Sequence, residues 1–148
     1  MIEINGNMLF IDEKSTQIEN INIIKSIKNK LYFSNNIVEI SPKSHNIDEV
    51  YSVLQQAGLS NFVLINNAIV NASNIESMYI KYYQYAGLSI LQCEKGNAEM
   101  CNLILCCKNG KEETISFPTT KEAEKCYHIL DAAVADIKNR QVYEKLAD

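Results

Sequence analysis

Apolar positions in the first 41 residues alternate or gather in short runs, a texture that predicts strands rather than helices. Ile2 and Ile4 alternate with polar neighbours, and Met8-Leu9-Phe10-Ile11 is a second apolar run. Asn5-Gly6 between them is a hairpin turn signal. Ile18, Ile21, Ile23 and Ile24 predict a third strand. Leu31-Tyr32-Phe33 and Ile37-Val38-Glu39-Ile40 predict two more, flanking a tight turn at Asn35-Asn36. After Pro42 the period changes. Ile47, Val50, Tyr51 and Leu54 fall at helical spacing, Ser44 or Asn46 stands at the N-cap, and Asp48 and Glu49 suit the first turn. Gly58 is a natural stop.

The remainder repeats this plan. Phe62-Val63-Leu64-Ile65 and Ala68-Ile69-Val70 flank Asn66-Asn67, Ile75 to Tyr85 reads as a long strand, and Leu88-Ser89-Ile90-Leu91 as another. Met100 to Cys107 is strongly apolar, and Asn109-Gly110 turns it back into Thr114-Ile115-Ser116-Phe117. Pro118 ends that strand, Thr119 or Thr120 caps, and a helix follows from about Lys121 to beyond Ile137. Its apolar stripe is Ala123, Cys126, Tyr127, Leu130, Ala133, Val134 and Ile137.

The two halves match in register. Pro42 precedes Tyr51 by the same spacing as Pro118 precedes Tyr127, and Tyr51-Ser52-Val53-Leu54 aligns with Tyr127-His128-Ile129-Leu130. Proline ends ladder pairing and starts the turn into a helix, which gives the shared spacing a physical reason. The expectation is an α+β chain built by internal duplication of a ββββα unit, residues 1–58 and 59–148, with antiparallel sheets each covered by one helix. The helices are offset further than the strands before them, which places an insertion near residues 81–97. Each unit alone would be marginal in size, so one pseudo-symmetric domain is expected.

A tandem four-strand-plus-helix unit resembles the Whirly and PUR-repeat families of single-stranded nucleic-acid-binding proteins, over nearly the whole chain. That resemblance implies binding of single-stranded nucleic acid. A pleckstrin-homology-like sheet with a C-terminal helix is a further topological cousin.

Charge qualifies the picture. The net charge is −4, the basic residues are 13 Lys and the single Arg140, and neither half is basic. Duplex DNA is therefore a poor expectation, since neutralising phosphates dominates that affinity. Asn is abundant, at 17 residues, as is Ile, at 20; this fits an AT-rich genome, including a phage or mobile element. No apolar run reaches transmembrane length, and no signal peptide opens the sequence. Cys93, Cys101, Cys106, Cys107 and Cys126 sit mostly in apolar runs, which points to a reducing compartment: cytoplasm, or host cytoplasm or virion for a phage product.

Candidate chemistry is sparse. There is no Cys-x-x-Cys pair, phosphate loop or dinucleotide fingerprint, so no metal, cofactor or catalytic residue is expected. Cys126 or Cys93 with His45 or His128 is the only formal nucleophile pairing, and nothing in the sequence brings its members together. The acid pairs Glu112/Glu113 and Glu122/Glu124 suit a solvated hairpin and a helix start. What stands out is aromatic. On a strand, Tyr79, Lys81, Tyr83 and Tyr85 share one face, with Met78, Ile80 and Tyr82 on the other. The first face could pack within the sheet, form a protein hot spot or stack unpaired bases. Val142, Tyr143 and Leu146 extend the second helix past its counterpart as a candidate interface. The reading is a non-enzymatic protein-interaction or assembly module that binds a protein partner or itself, with single-stranded nucleic-acid binding as the alternative.

Overall fold

Strand pairing can be followed in a computed structural model that describes residues 2–27, 30–33, 36–39, 46–82 and 101–147. The architecture is α+β, with antiparallel sheets and two helices. The chain divides into two compact units, Met1–Asn74 and Ile75–Asp148.

In the first unit, β1 (Ile2–Asn5), β2 (Met8–Ile11) and β3 (Lys14–Gln17) form an antiparallel sheet in that order. Both connections are two-residue loops, since Asn5 pairs with Met8 and Ile11 with Lys14. Gly6 and Asp12, first in each loop, have φ of 62° and 52°. Asp tolerates this region better than most residues. β3 contains no apolar residue, so the hydrophobic pattern passes over it.

The strand expected from Ile18 does not begin there. Ile18–Asn20 is a 3₁₀ turn, η1, closed by Ile21 N–H donating to the Ile18 carbonyl at 3.1 Å. Spacing i, i+3 on a 3₁₀ turn puts Ile18 and Ile21 on one side, and both are buried. The strand proper is β4 (Ile23–Ile27). It joins β5 (Lys30–Phe33), β6 (Asn36–Glu39), β7 (Phe62–Ile65) and β8 (Ala68–Asn71) in an antiparallel sheet ordered β6-β5-β4-β8-β7. The hairpin β7-β8, which follows Gly58, thus completes a sheet begun before it.

Helix α1 (Ile47–Gln56) starts where the sequence pattern places it: Asn46 Oδ1 accepts the Glu49 N–H at 2.9 Å. Its buried side chains Ile47, Val50 and Leu54 join Leu9, Ile11, Ile21, Ile24, Leu31, Phe62 and Ile69 in one core. Burying each such side chain fully contributes about 1.5–3 kcal/mol. A 3₁₀ turn, η2 (Ala72–Asn74), closes the unit.

The second unit has β9 (Ile75–Tyr82), β10 (Cys101–Cys107) and β11 (Glu112–Phe117) in the order β11-β10-β9, followed by α2 (Thr120–Ala147). Asn109-Gly110 turns the chain as expected: Gly110 has φ 86°, its N–H donates to the Cys107 carbonyl, and Asn109 Oδ1 accepts the Lys111 N–H at 3.1 Å. Thr119 Oγ1 caps α2 by accepting the Glu122 N–H at 3.2 Å. The strand expected at Leu88–Leu91 and most of the insertion near 81–97 lie outside the described residues. So do Pro42, Ser44, His45, Tyr83, Tyr85 and Cys93.

Candidate interaction surface

Strand register assigns the two faces of the second sheet. Tyr82, Ile80 and Met78 stand opposite Cys101, Leu103 and Leu105, while Lys81 and Tyr79 stand opposite Asn102 and Ile104. α2 packs on all three strands. Its first residue marks the side it takes, because Thr120 Oγ1 lies 3.1 Å from Cys101 Sγ in a buried contact. Cys101, Leu103 and Leu105 are buried on that side, and Met78 and Ile80 half-buried beside them at β9.

Tyr79 and Lys81 therefore occupy the face away from the helix, where the alternation of β9 put them. Both are exposed, Tyr79 at 47%. Their register neighbours extend the face: Asn102 Oδ1 accepts the Ser116 hydroxyl at 2.9 Å, and buried Ile104 lies between Tyr79 and Thr114. Tyr82 belongs to the helix side but remains 37% exposed at the end of the strand.

α2 has two distinct stretches. From Thr120 to Ile137 one stripe meets the sheet, with Thr120, Ala123 and Leu130 buried and Cys126, Tyr127, Ala133, Val134 and Ile137 half-buried. From Lys138 to Glu144 every residue is exposed. The positions that would continue the stripe are Gln141 and Glu144, so the apolar reason to follow the sheet ends at Ile137. Val142 and Tyr143 then stand in solvent at 55% and 73% exposure. Leu146 is in the helix, and its side chain lies outside the described residues. Sequence reasoning found this overhang; it missed Ile129, exposed at 45% on the same helix.

Burial acts on two of the thiols. Burial, with Glu113 and Cys106 adding to it, pushes the Cys107 thiol up to about 11. Burial also raises Cys126, more than Lys125 lowers it. Both favour the protonated, weakly nucleophilic form. His128 is exposed and meets its neighbour Tyr127 edge-on, with ring centroids 5.8 Å apart. Among the described residues no group of three His, Cys, Asp or Glu side chains is arranged to hold a metal. An open groove of about 490 Å³ beside α1 is lined by Ile2, Asn46, Asp48, Glu49, Ser52, Val53 and Gln56. Among the described residues, no helix is long and apolar enough to cross a membrane.

No protein-family model matches the chain, and no curated protein matches it. Among solved structures it is similar to a LytTr DNA-binding domain from Bacillus cereus, at 12% identity and a TM-score of 0.46, covering 83% of this chain and 93% of that one.

Proposed function

We propose that this protein is a non-enzymatic interaction or assembly module that engages a protein partner through the solvent side of α2. The observation that carries this reading is the stretch from Lys138 to Glu144. There the helix continues without a sheet beneath it and holds Val142 and Tyr143 in water. Ordering a helical extension costs conformational entropy, and paired aromatic and aliphatic side chains on one exposed helix are the usual anchors of a helix-mediated contact. The reading includes a cytoplasmic setting and no cofactor. It also includes the ββββα duplication, supported by the recurrence of hairpin, 3₁₀ turn and strand at β1-β2-β3-η1-β4 and β7-β8-η2-β9.

A photo-crosslinking amino acid at Tyr143 tests it. We expect covalent protein adducts from position 143 and none from the same probe at Glu76, exposed on β9. Equal adducts from both positions, or none from either, would overturn the reading.

A second reading rests on the exposed Tyr79 beside Lys81 on the sheet face away from α2, in keeping with a Whirly- or PUR-like binder of single strands. Salt-sensitive binding of a mixed-sequence oligonucleotide, lost in Tyr79→Ala, would support it; no binding at low salt would remove it.

A further inference from the structure

β1 lies at the edge of its sheet, paired with β2 on one side and with no described strand on the other. Its register says which groups face outwards. Asn5 and Met8 close a two-residue loop, and a closing pair of that kind exchanges hydrogen bonds across the ladder. Alternation makes Glu3 and Phe10 the next bonded pair. The N–H and C=O of Ile2 and Ile4 therefore point away from β2, and no backbone group among the described residues pairs with them. Such an edge is a template for one more strand.

Helix α1 makes this edge one side of a groove. Ile47, Val50 and Leu54 are buried in the core and set the inner line of the helix. At 3.6 residues per turn, Gln55 falls on one flank of that line, and Glu49 and Val53 on the other. Gln55 reaches β7, where its Nε2 donates to the Phe62 carbonyl at 3.4 Å. The opposite flank meets β1: Ile2, Asp48, Glu49, Ser52 and Val53 line the open groove there. Ile2 and Ile4 face the core that α1 covers, as do their register partners Ile11 and Leu9. A strand added to β1 would send alternate side chains into the groove, while its main chain pairs with the edge.

The lining defines the occupant. Ile2 and Val53, both half-buried, give an apolar floor, and the exposed Asp48 and Glu49 stand beside it. Glu3 is exposed on the other face of β1. Neither β1 nor α1 carries a lysine or arginine, and none lines the groove. An added strand thus meets acids on both of its faces and an aliphatic floor on one. Electrostatic complementarity selects basic side chains for the first and an aliphatic one for the second.

We infer that the groove between β1 and α1 takes an extended, lysine- or arginine-bearing segment of a partner protein, added to β1 as a further strand. The site belongs to the first unit and so goes beyond the α2 surface proposed above, which belongs to the second.

Fluorescence anisotropy on the full chain tests it, with the capped, fluorophore-labelled peptide Thr-Val-Thr-Lys-Thr-Val-Lys as the probe. Saturable binding is expected, and its absence up to about 1 mM peptide overturns the inference. Asp48→Asn with Glu49→Gln should weaken binding roughly fivefold, through the loss of two exposed ion pairs. The same peptide with glutamate for lysine should not bind; equal affinity for it overturns the charge selection. N-methylation of one alternate set of peptide amides should abolish binding, whereas the other set should tolerate it. Equal affinity for both methylated peptides reduces the contact to surface charge and overturns strand addition. Amide hydrogen exchange locates the pairing: the peptide should protect the Ile4 N–H and leave Glu3 and Asn5, already bonded to β2, unchanged. Binding without protection at Ile4 overturns the site. Protection of Ile4 at high protein concentration without peptide would make a second copy the occupant and overturn the choice of partner. Far-ultraviolet circular dichroism on the double variant separates lost binding from lost folding.

Discussion

The side-chain amide of Asn71 donates to the carbonyl of Ile21 at 2.9 Å, joining the end of β8 to residues fifty positions earlier. Its Oδ1 accepts from Asn61 Nδ2 at 2.7 Å and from the Ser73 N–H at 3.1 Å. Asn71 is 2% exposed, so water cannot replace these partners. Asn74 repeats the theme, donating to the Glu19 carbonyl at 2.9 Å and to Asn22 Oδ1 at 3.1 Å. We expect Asn71→Ala to cost about 2–3 kcal/mol, because it leaves buried polar groups unmatched. Asn71→Asp, which retains the acceptors but loses the donor and buries a charge, should cost at least as much. Urea denaturation reads both as a lowered midpoint with unchanged slope. A midpoint within error of wild type for either variant would show that this clamp is dispensable.

Gly58 tests a purely backbone effect. It follows α1 at φ 78° and donates its N–H to the Gln55 carbonyl at 3.0 Å, and a Cβ built on it would meet nothing within 4 Å. The cost of Gly58→Ala is therefore conformational, about 1–2 kcal/mol. Gly58→Asn should lose less, since Asn visits the left-handed region more readily. Thermal melts of the two variants should rank in that order; equal losses would point to a side-chain clash instead.

Cys107 supplies a pH dependence. Its thiol is raised from an ordinary value of 9.0 to about 11 by burial. In the unfolded chain the proton leaves near the ordinary value, whereas the folded chain keeps it longer. The stability from a neutral buried thiol is thus fully present below pH 9.0 and is lost as the pH climbs towards 11. Stability measured across that alkaline window should fall with rising pH, and Cys107→Ala should flatten the part of the slope that this thiol carries. An unchanged slope in Cys107→Ala would assign the alkaline loss to other groups.

How much of this was written in the order of residues depends on the range of the interaction. Local signals carried through: the Asn46 cap, the Asn109-Gly110 turn, the stripe of α2 from Ala123 to Ile137, and the alternation that leaves Tyr79 and Lys81 in water. Each is decided by neighbours within four or five positions. β3 escaped notice because Lys14 to Gln17 hold their place through backbone pairing with β2, which leaves no hydrophobic trace. Ile18 and Ile21 read as strand because β-branched residues favour strands, yet a 3₁₀ turn buries both. The Asn71 and Asn74 clamps span fifty residues or more, and an asparagine's sequence context does not reveal a carbonyl so far away. On α2, Val142 and Tyr143 were legible as apolar residues beyond the sheet stripe.

Folding and association draw on different residues of one helix. Leu130 is fully buried against the sheet, whereas Val142, twelve residues on, is 55% exposed. Leu130→Ala removes packed volume and should destabilise the chain by about 2–5 kcal/mol. Val142→Ala removes nothing from the core and should change the stability of the monomer by less than about 0.5 kcal/mol. Partner capture should respond in the opposite sense: under conditions where Leu130→Ala remains folded, crosslinking from position 143 should follow wild type, while Val142→Ala weakens it. Urea unfolding and photo-crosslinking from position 143 make the two readings. Val142→Ala destabilising the dilute monomer as strongly as Leu130→Ala would mean that the overhang packs against its own chain, and the case for a partner at that position would fall.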